Sequence, residues 1–152
     1  MKVSDILRIK GHTLYTAEPA QPLLDAVRVM SDKDIGSLVV MDHGKLVGML
    51  TFREVIQVLV AANGSLGSAP VRTAMEPDPL VCTPETDLDE VRRMMLDRHA
   101  RYMPVMEGAV LMGVISFYDV AKTVVDSQNF ENKMLKAYIK DWPSGTPDPD
   151  DK

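Results

Sequence analysis

The sequence predicts an α+β fold in which two copies of one unit form an α/β sandwich. Residues 16–55 align with residues 81–120 at a constant offset of 65, without a gap and with 11 identities in 40 positions. Both copies show helical and strand patterns in the order β-α-β-β-α. One such unit cannot cover both faces of a three-stranded sheet. We therefore expect the copies to pack sheet to sheet with pseudo-two-fold symmetry.

The five elements of the first copy follow from apolar spacing and turn residues. Leu23, Ala26, Val27 and Met30 recur at helical spacing and predict an amphipathic helix. Two apolar runs joined by a tight glycine turn predict a β-hairpin. The expected elements are a strand over 14–16, a helix from 23, hairpin strands over 37–41 and 45–50, and a helix over 52–62.

The second copy repeats this order. Leu88, Val91, Met94 and Met95 recur at helical spacing after Asp87, which is a candidate N-cap. The expected elements are a strand over 80–82, a helix from 88, hairpin strands over 102–106 and 110–115, and a helix over 117–126. Short helices over 3–7 and 71–75 are expected to open the two halves.

The repeat and the punctuation by glycine and proline predict five segments. Glycines and serines over 63–70 are typical of a linker. An apolar stripe containing Leu135 predicts a last helix that stops near Trp142-Pro143. The expected segments are repeat 1 over 1–62, the linker over 63–70, repeat 2 over 71–126, a C-terminal helix over 127–142, and a flexible acidic tail over 143–152.

Composition and charge exclude several classes of protein. Hydrophobic residues make up 45% of the 152 residues and charged residues 26%, which is ordinary globular composition. The net charge of −5 disfavours nucleic acid as the main partner, because phosphate neutralisation needs a basic surface. Neither a basic, apolar leader nor an apolar stretch of membrane-spanning length is visible. We expect a cytoplasmic protein without a membrane partner.

No residue constellation predicts catalysis or metal binding. Cys82 is the one cysteine and cannot form an intrachain disulfide. His12, His43 and His99 lie far apart, and none has acidic or thiol neighbours at ligand spacing. We therefore expect neither a catalytic residue nor a metal ligand, and the protein is not expected to be an enzyme.

One phrase occurs at the same place in both copies. The sequences Gly48-Met-Leu-Thr51-Phe-Arg-Glu54 and Gly113-Val-Ile-Ser116-Phe-Tyr-Asp119 share the pattern Gly-x-x-(Thr/Ser)-x-x-(Glu/Asp). It is compatible with a capping box, in which hydroxyl and carboxylate satisfy amides at a helix start. It is also compatible with a ribose site, because an ionised carboxylate accepts both hydroxyls of a cis-diol and the helix start offers amides to a phosphate.

The chain resembles the tandem cystathionine-β-synthase-type domain pair, also called a CBS pair or Bateman module. The resemblance rests on the repeated phrase, on the run Arg101-Tyr-Met-Pro-Val-Met106 and on the order of elements. It covers residues 1–126, and the closing helix is similar to that of small stand-alone bacterial members.

The resemblance implies a regulatory module that senses an adenosine-containing ligand in the cleft between the repeats. AMP, ADP and ATP are the implied ligands, with NAD and S-adenosylmethionine as further members of the class. It also implies a homodimer that signals to an unknown downstream protein in trans. The alternative is a ligand-free structural dimerisation module, in which the repeated phrases only cap helices.

The resemblance also implies roles for individual residues. Asp119 would hold the ribose, Ser116 the ribose or phosphate, and Arg101 the phosphate. The adenine slot would be lined by Val81, Thr83, Met103 and Pro104. The other implied contacts of this ligand are Gly113, Tyr102 and Tyr118.

A weaker second site is implied in the first copy. Its acidic residue is Glu54 instead of aspartate, and Gly36-Ser-Leu-Val-Val40 replaces the run that starts at Arg101. The longer side chain moves the carboxylate, and the missing cation weakens a phosphate site. The residues implied for this site are Gly48, Thr51, Glu54, Thr16 and Leu38.

Overall fold

The computed structural model describes residues 1–11 and 13–140. It confirms the α+β fold with two copies of one unit. The elements, in chain order, are α1 Val3–Lys10, β1 Thr16–Ala17, α2 Leu23–Lys33, β2 Ser37–Asp42, β3 Lys45–Thr51, α3 Phe52–Ala61, a short 3₁₀ helix Val71–Thr73, α4 Leu88–Arg98, β4 Tyr102–Glu107, β5 Val110–Ser116 and α5 Phe117–Lys140.

The two hairpins have the same register. In the first, β2 pairs antiparallel with β3 and the ladder shifts between Val40 and Met41. In the second, β4 pairs with β5 and the shift falls at the equivalent Val105 and Met106. The predicted tight turns are present, and Gly44 and Gly108 adopt the positive φ that such turns require.

The strands that precede the first helices differ between the copies. β1 pairs in parallel with β2, so the first sheet has three strands. The strand predicted over 80–82 is reduced to a single parallel bridge between Cys82 and Val105, and the second sheet has two strands. The difference has a physical cause. Pro104 stands where the first copy has Val39, and proline has no N–H with which to extend the ladder.

The opening helices are exchanged between the copies. Val3, Ile6 and Leu7 of α1 are buried in the core of the second copy. Val71 is buried in the core of the first copy, and Met75 packs beside it. Backbone hydrogen bonds fix both crossings, since the Val3 amide donates to the Thr86 carbonyl at 3.0 Å and the Val71 amide to the Gln21 carbonyl at 2.8 Å. Repeats defined by chain order are therefore not the units of packing.

The C-terminal half of the fold contains one helix where the sequence predicts two. α5 runs without interruption over Phe117–Lys140 and joins the segments expected as separate helices over 117–126 and 127–142. Neither glycine nor proline occurs in this range, so nothing in its composition ends the helix at residue 126. The predicted helix end at Trp142-Pro143 and the predicted tail over 143–152 lie outside the described residues.

The residues over 63–70 run beside the first copy. Leu66 packs against the first core, and the Leu23 amide donates to the Ala69 carbonyl at 2.8 Å. This segment therefore leads directly to the 3₁₀ helix, whose Val71 is part of the first core. Within residues 1–11 and 13–140, no helix combines the length and the apolar composition that crossing a membrane requires.

Candidate functional site

The first candidate site is a cleft of about 850 Å³ beside Asp119, which we call the Asp119 cleft. It lies between the copies, because its walls come from both halves of the chain. Residues 13–15 and 35–37 contribute from the first copy, and residues 114, 116–118 and 121 contribute from the second, so that Asp119 adjoins the wall of the cleft without forming part of it. The lining side chains used below are Lys10, Tyr15, Arg101, Tyr102, Ser116 and Tyr118.

Asp119 and Ser116 form a reciprocal cap at the start of α5. The Ser116 amide donates to Asp119 Oδ2 at 2.9 Å, and the Asp119 amide donates to Ser116 Oγ at 3.1 Å. This is the capping-box geometry that the repeated phrase predicts. Ser116 ends β5 and Asp119 lies in the first turn of α5, so the cap fixes the carboxylate next to Ser116, which lines the cleft.

Lys10 holds the same carboxylate from the other half of the chain. Its Nζ donates to Asp119 Oδ2 at 2.8 Å and to the Val114 carbonyl at 3.0 Å. The Lys10 side chain is 43% exposed and that of Asp119 is 20% exposed. α1 carries Lys10 to this place because its apolar face packs into the second core.

Asp119 is in its charged form at neutral pH. Burial raises the pKa of Asp119, but hydrogen bonds from the Lys10 ammonium and the Ser116 amide outweigh burial and hold the pKa below its ordinary value. An ionised carboxylate only accepts hydrogen bonds. Asp119 is therefore suited to receive hydroxyl donors from the cleft.

The second candidate site is a cleft of about 680 Å³ beside Glu54, which we call the Glu54 cleft. Its walls again combine the copies, because residues 51–57 come from the first and residues 95–102 from the second. Two acidic side chains, Glu54 and Glu76, line it together with the basic Arg53, Arg98 and Arg101.

The acidic residue of this cleft is more buried than its counterpart. Glu54 is 8% exposed, and the Thr51 hydroxyl donates to its carboxylate. Thr51 also accepts from the Arg53 amide at 3.2 Å and so caps α3. The longer glutamate side chain folds back onto its own cap, which leaves little of its carboxylate facing the cleft.

The structure distributes some of the sequence-predicted residues over both clefts. Arg101 and Tyr102 line both clefts, so they do not belong to the Asp119 cleft alone. The segment before the second hairpin and the residues around Leu80 line the Glu54 cleft. Their equivalents in the first copy, residues 14–15 and 35–37, line the Asp119 cleft. Each cleft thus combines the acidic phrase of one copy with the preceding segments of the other.

Several predicted contact residues lie elsewhere. Met103 and Leu38 are 0% and 1% exposed and belong to the two cores, and Pro104 is buried in β4. Val81 and Thr83 are exposed, as is Thr16 at the start of β1. Among the described residues that line the two clefts, these six positions are absent. Asp119 is absent as well, although its bonding partners Lys10 and Ser116 line the Asp119 cleft.

The glycines of the repeated phrase make room for the exchanged segments. A Cβ on Gly113 would lie 2.9 Å from Leu7 Cδ2 in α1. A Cβ on Gly48 would lie 2.8 Å from the Glu76 carbonyl. The missing side chains of both glycines therefore make room for protein, and their role as contacts of a ligand stays a prediction.

Tyr102 connects the two clefts. A Cβ added at Gly36 would collide with the Tyr102 hydroxyl, so the absence of a side chain at this position leaves room for the tyrosine ring. Position 36 aligns with Arg101. The first copy therefore has no basic residue at this position, and the space is taken by a side chain of the second copy. A shift of Tyr102 changes the walls of both clefts at once.

Sequence reasoning missed Lys10, Tyr15 and Glu76 as cleft residues. Lys10 and Asp119 are separated by 109 positions along the chain, and no motif links them. The repeat alignment identifies equivalent residues but does not say which surfaces of the two copies face each other. A group of three or more metal-ligating side chains is not found within the part of the chain that the structure describes.

Comparison with known proteins identifies the family. A family model described as CBS domain matches residues 3–61 and 71–126. The mitochondrial CBS domain-containing protein CBSX3 of Arabidopsis thaliana is 29% identical over 147 residues, which cover 91% of this chain and 71% of the relative. A protein with CBS domains from Burkholderia ambifaria superposes with a TM-score of 0.79 at 30% identity, over 84% of this chain and 96% of that one.

Two solved complexes share the fold at lower identity. CBSX2 in complex with AMP has a TM-score of 0.69 at 23% identity, over 84% of this chain and 98% of that one. The CBS domain pair of protein MJ0100, in complex with 5′-methylthioadenosine and S-adenosyl-L-methionine, has a TM-score of 0.74 at 20% identity, with shares of 84% and 98%. With the family model covering both copies, this chain belongs to the CBS domain family and contains a tandem pair of CBS domains.

Proposed function

We propose that this protein is a regulatory module that binds an adenosine-containing nucleotide in the Asp119 cleft. The observation that carries the proposal is the ionised Asp119 carboxylate, fixed by a helix cap at the edge of an 850 Å³ cleft between the copies. A cavity of this size is in the range that encloses a small-molecule ligand.

The side chains around Asp119 match the parts of a nucleotide. A carboxylate with two acceptor oxygens takes both hydroxyls of a ribose. Tyr15, Tyr102 and Tyr118 offer ring faces and edges to an adenine base. Lys10 and Arg101 offer positive charge to a phosphate.

The ligands of structural neighbours support this ligand class. AMP, 5′-methylthioadenosine and S-adenosyl-L-methionine, which those neighbours hold, all contain adenosine. We propose AMP, ADP and ATP as the first candidates for this chain, with NAD and S-adenosylmethionine as further members of the class.

The proposal is a binding role without catalysis. Cys82 is 4% exposed, and burial raises the pKa of its thiol to about 12, so it is a poor nucleophile. Binding is proposed to act through Tyr102, which both clefts share, and to change how two copies associate. The signal would then pass to a partner protein in trans.

A thermal-shift screen tests the proposal. Purified protein is heated with AMP, ADP, ATP, NAD or S-adenosylmethionine, and the melting temperature is recorded. A ligand that binds only the folded state stabilises it by about 2.7 kcal/mol at 100 times its dissociation constant. We expect a clear rise in melting temperature with at least one of these ligands.

Variants of the two acidic residues locate the site. We expect Asp119→Ala to abolish binding in titration calorimetry and Glu54→Ala to reduce it less. Asp119 is bonded to Lys10 and Ser116, which line its cleft, and its side chain is 20% exposed, whereas Glu54 is 8% exposed and bonded back to Thr51. Asp126→Ala, on an exposed face of the same helix, serves as the matched control. Equal binding by the wild type and Asp119→Ala would refute the assignment.

A ligand-free dimerisation module is the second candidate function. It is favoured by the complete caps of α3 and α5, which need no ligand, and by the exposed apolar side chains Phe52, Ile56 and Val60 of α3. A protein that melts cooperatively, shows no shift with any adenosine ligand and elutes as a dimer in light-scattering chromatography would support this function instead.

A further inference from the structure

One of the two basic residues of the Asp119 cleft, Lys10, comes from the opening helix α1. Gly36 stands at the position equivalent to Arg101, so the first copy supplies no basic residue from the segment before its hairpin. Lys10, at the end of the exchanged helix α1, supplies an ammonium at the same cleft. Its counterpart at the offset of 65 is Met75, and the Glu54 cleft therefore has no cation at that position.

The ammonium of Lys10 contacts the atom that a ribose would need. Lys10 Nζ and the Ser116 amide both donate to Asp119 Oδ2. A ligand diol that bonds to both carboxylate oxygens competes with the lysine for Oδ2. The ion pair must therefore open, or shift along the carboxylate, when the ribose enters.

Opening this ion pair is energetically easy. The Lys10 side chain is 43% exposed, and partly exposed ion pairs contribute little to stability. The long, flexible stem of a lysine lets its ammonium move while α1 stays packed in the second core. The contact from Nζ to the Val114 carbonyl, at 3.0 Å, is independent of Asp119 and keeps the ammonium at the cleft.

We propose that Lys10, which covers the Asp119 carboxylate in the structure, turns to the 5′ group of the nucleoside when one binds. The cleft then selects an anionic 5′ group, such as a phosphate, over an uncharged or cationic one. This inference rests on the proposed function, and it names the chemical class that the Asp119 cleft prefers.

The charges around the cleft agree with this preference. Lys10 and Arg101 are the charged side chains among the described residues that line it. Once a ribose takes the hydrogen bonds of Asp119, the ammonium lacks its carboxylate partner and favours a negative group. A cationic sulfonium, as in S-adenosylmethionine, would meet positive charge there.

The test compares two ligands that share adenosine and differ at the 5′ position. Titration calorimetry measures the dissociation constants of AMP and 5′-methylthioadenosine for the wild type and for Lys10→Gln. Lys45→Gln, which removes an equal charge from the exposed hairpin turn, is the matched control. Lys10→Met gives a second removal of the ammonium, without a polar group in its place.

We expect the wild type and Lys45→Gln to prefer AMP. In both Lys10 variants the preference for AMP should fall by about tenfold or more, as expected for the loss of one charge-assisted hydrogen bond. The affinity for 5′-methylthioadenosine should stay equal or rise, because the ribose no longer competes with an ammonium. A residue that only stabilised the fold would change both affinities in the same direction.

The outcomes separate this inference from the function on which it rests. If the wild type binds AMP and the Lys10 variants keep the full preference, the role of Lys10 is wrong and nucleotide binding stands. A wild type that prefers 5′-methylthioadenosine also overturns the role of Lys10. If the wild type binds neither ligand, the proposed function fails, and the inference fails with it.

Discussion

Gly48 is pressed against the backbone of the exchanged segment. A Cβ at this position would lie 2.8 Å from the Glu76 carbonyl, and that carbonyl accepts a hydrogen bond from the Met49 amide at 3.0 Å. A backbone group held in this way cannot move without breaking the bond. At Gly113 the corresponding contact is the end of the Leu7 side chain, which can rotate.

Gly48→Ala should therefore destabilise the protein more than Gly113→Ala. We expect a loss of about 1 to 3 kcal/mol in the free energy of unfolding for Gly48→Ala, which is typical of overpacking, and a smaller loss for Gly113→Ala. Urea unfolding of both variants beside the wild type measures the difference. Equal losses would show that the Glu76 carbonyl is free to move.

Asp119 makes stability depend on pH in a definite direction. Its pKa is lowered in the folded protein, so the unfolded chain binds its proton at higher pH than the folded chain does. The contribution of Asp119 is present in full above the ordinary carboxyl pKa of about 3.9, and it is lost as the pH falls through the lower folded value.

The difference in stability between the wild type and Asp119→Asn should shrink as the pH is lowered from 6 toward 3. Urea unfolding at several pH values measures it. Asp126→Asn, on the exposed part of α5, controls for the loss of a surface carboxylate. A difference that stays constant with pH would mean that Lys10 and Ser116 do not hold Asp119 in its charged form.

For individual residues, the sequence predicts contacts within a short motif well. The cap of Ser116 and Asp119 lies within four residues and is found by its spacing. The contact of Lys10 with Asp119 joins residues that are 109 positions apart along the chain, and no local pattern encodes it. That Arg101 lines both clefts was not predicted for the same reason, because equivalence between copies does not reveal which of them supplies each wall of a cleft.

Helix α1 is the element on which the second core depends. Ile6 is 3% exposed in that core, whereas Ile9 on the same helix is 82% exposed. We expect Ile6→Ala to lower the free energy of unfolding by about 2 to 5 kcal/mol, as buried large-to-small substitutions do. Ile9→Ala is the matched control and should change it little.

Hydrogen exchange locates the effect of Ile6→Ala. Amides of β4 and β5 should exchange faster in this variant, because their core loses a buried side chain, and amides of β2 and β3 should change less. Faster exchange confined to β2 and β3 would contradict the exchanged packing of α1. The measurement needs only the full chain and its two isoleucine variants.

An element could be predicted from the sequence when the residues that determine it lie within the element or next to it. Both hairpins and the helices α2, α3 and α4 follow from apolar period and turn residues. The strand over 80–82 failed because its ladder requires an amide that Pro104, more than 20 positions away, does not have. The prediction of two helices in place of α5 was wrong, because the end of the second repeat at residue 126 does not by itself end a helix.

At the scale of the whole molecule, the internal repeat predicts the fold but does not reveal that the two clefts differ. Two similar copies predict two similar clefts, yet one cleft has a partly buried aspartate beside it with its own lysine, and the other has a buried glutamate and a second acid. The asymmetry arises at Gly36, Lys10 and Glu76, where the copies differ most in chemistry. Matching positions reveals the architecture, and mismatched positions determine what each cleft can hold.

The exchanged opening helices also impose an order on events at the ribosome. The first core is complete once Met75 has been synthesised, whereas the second core needs residues as late as Val120. Helix α1 is synthesised first, but the strands and helices of the second core against which it packs are synthesised only after the first core is complete. During that interval its apolar face is open to a chaperone, or to the second half of a neighbouring nascent chain.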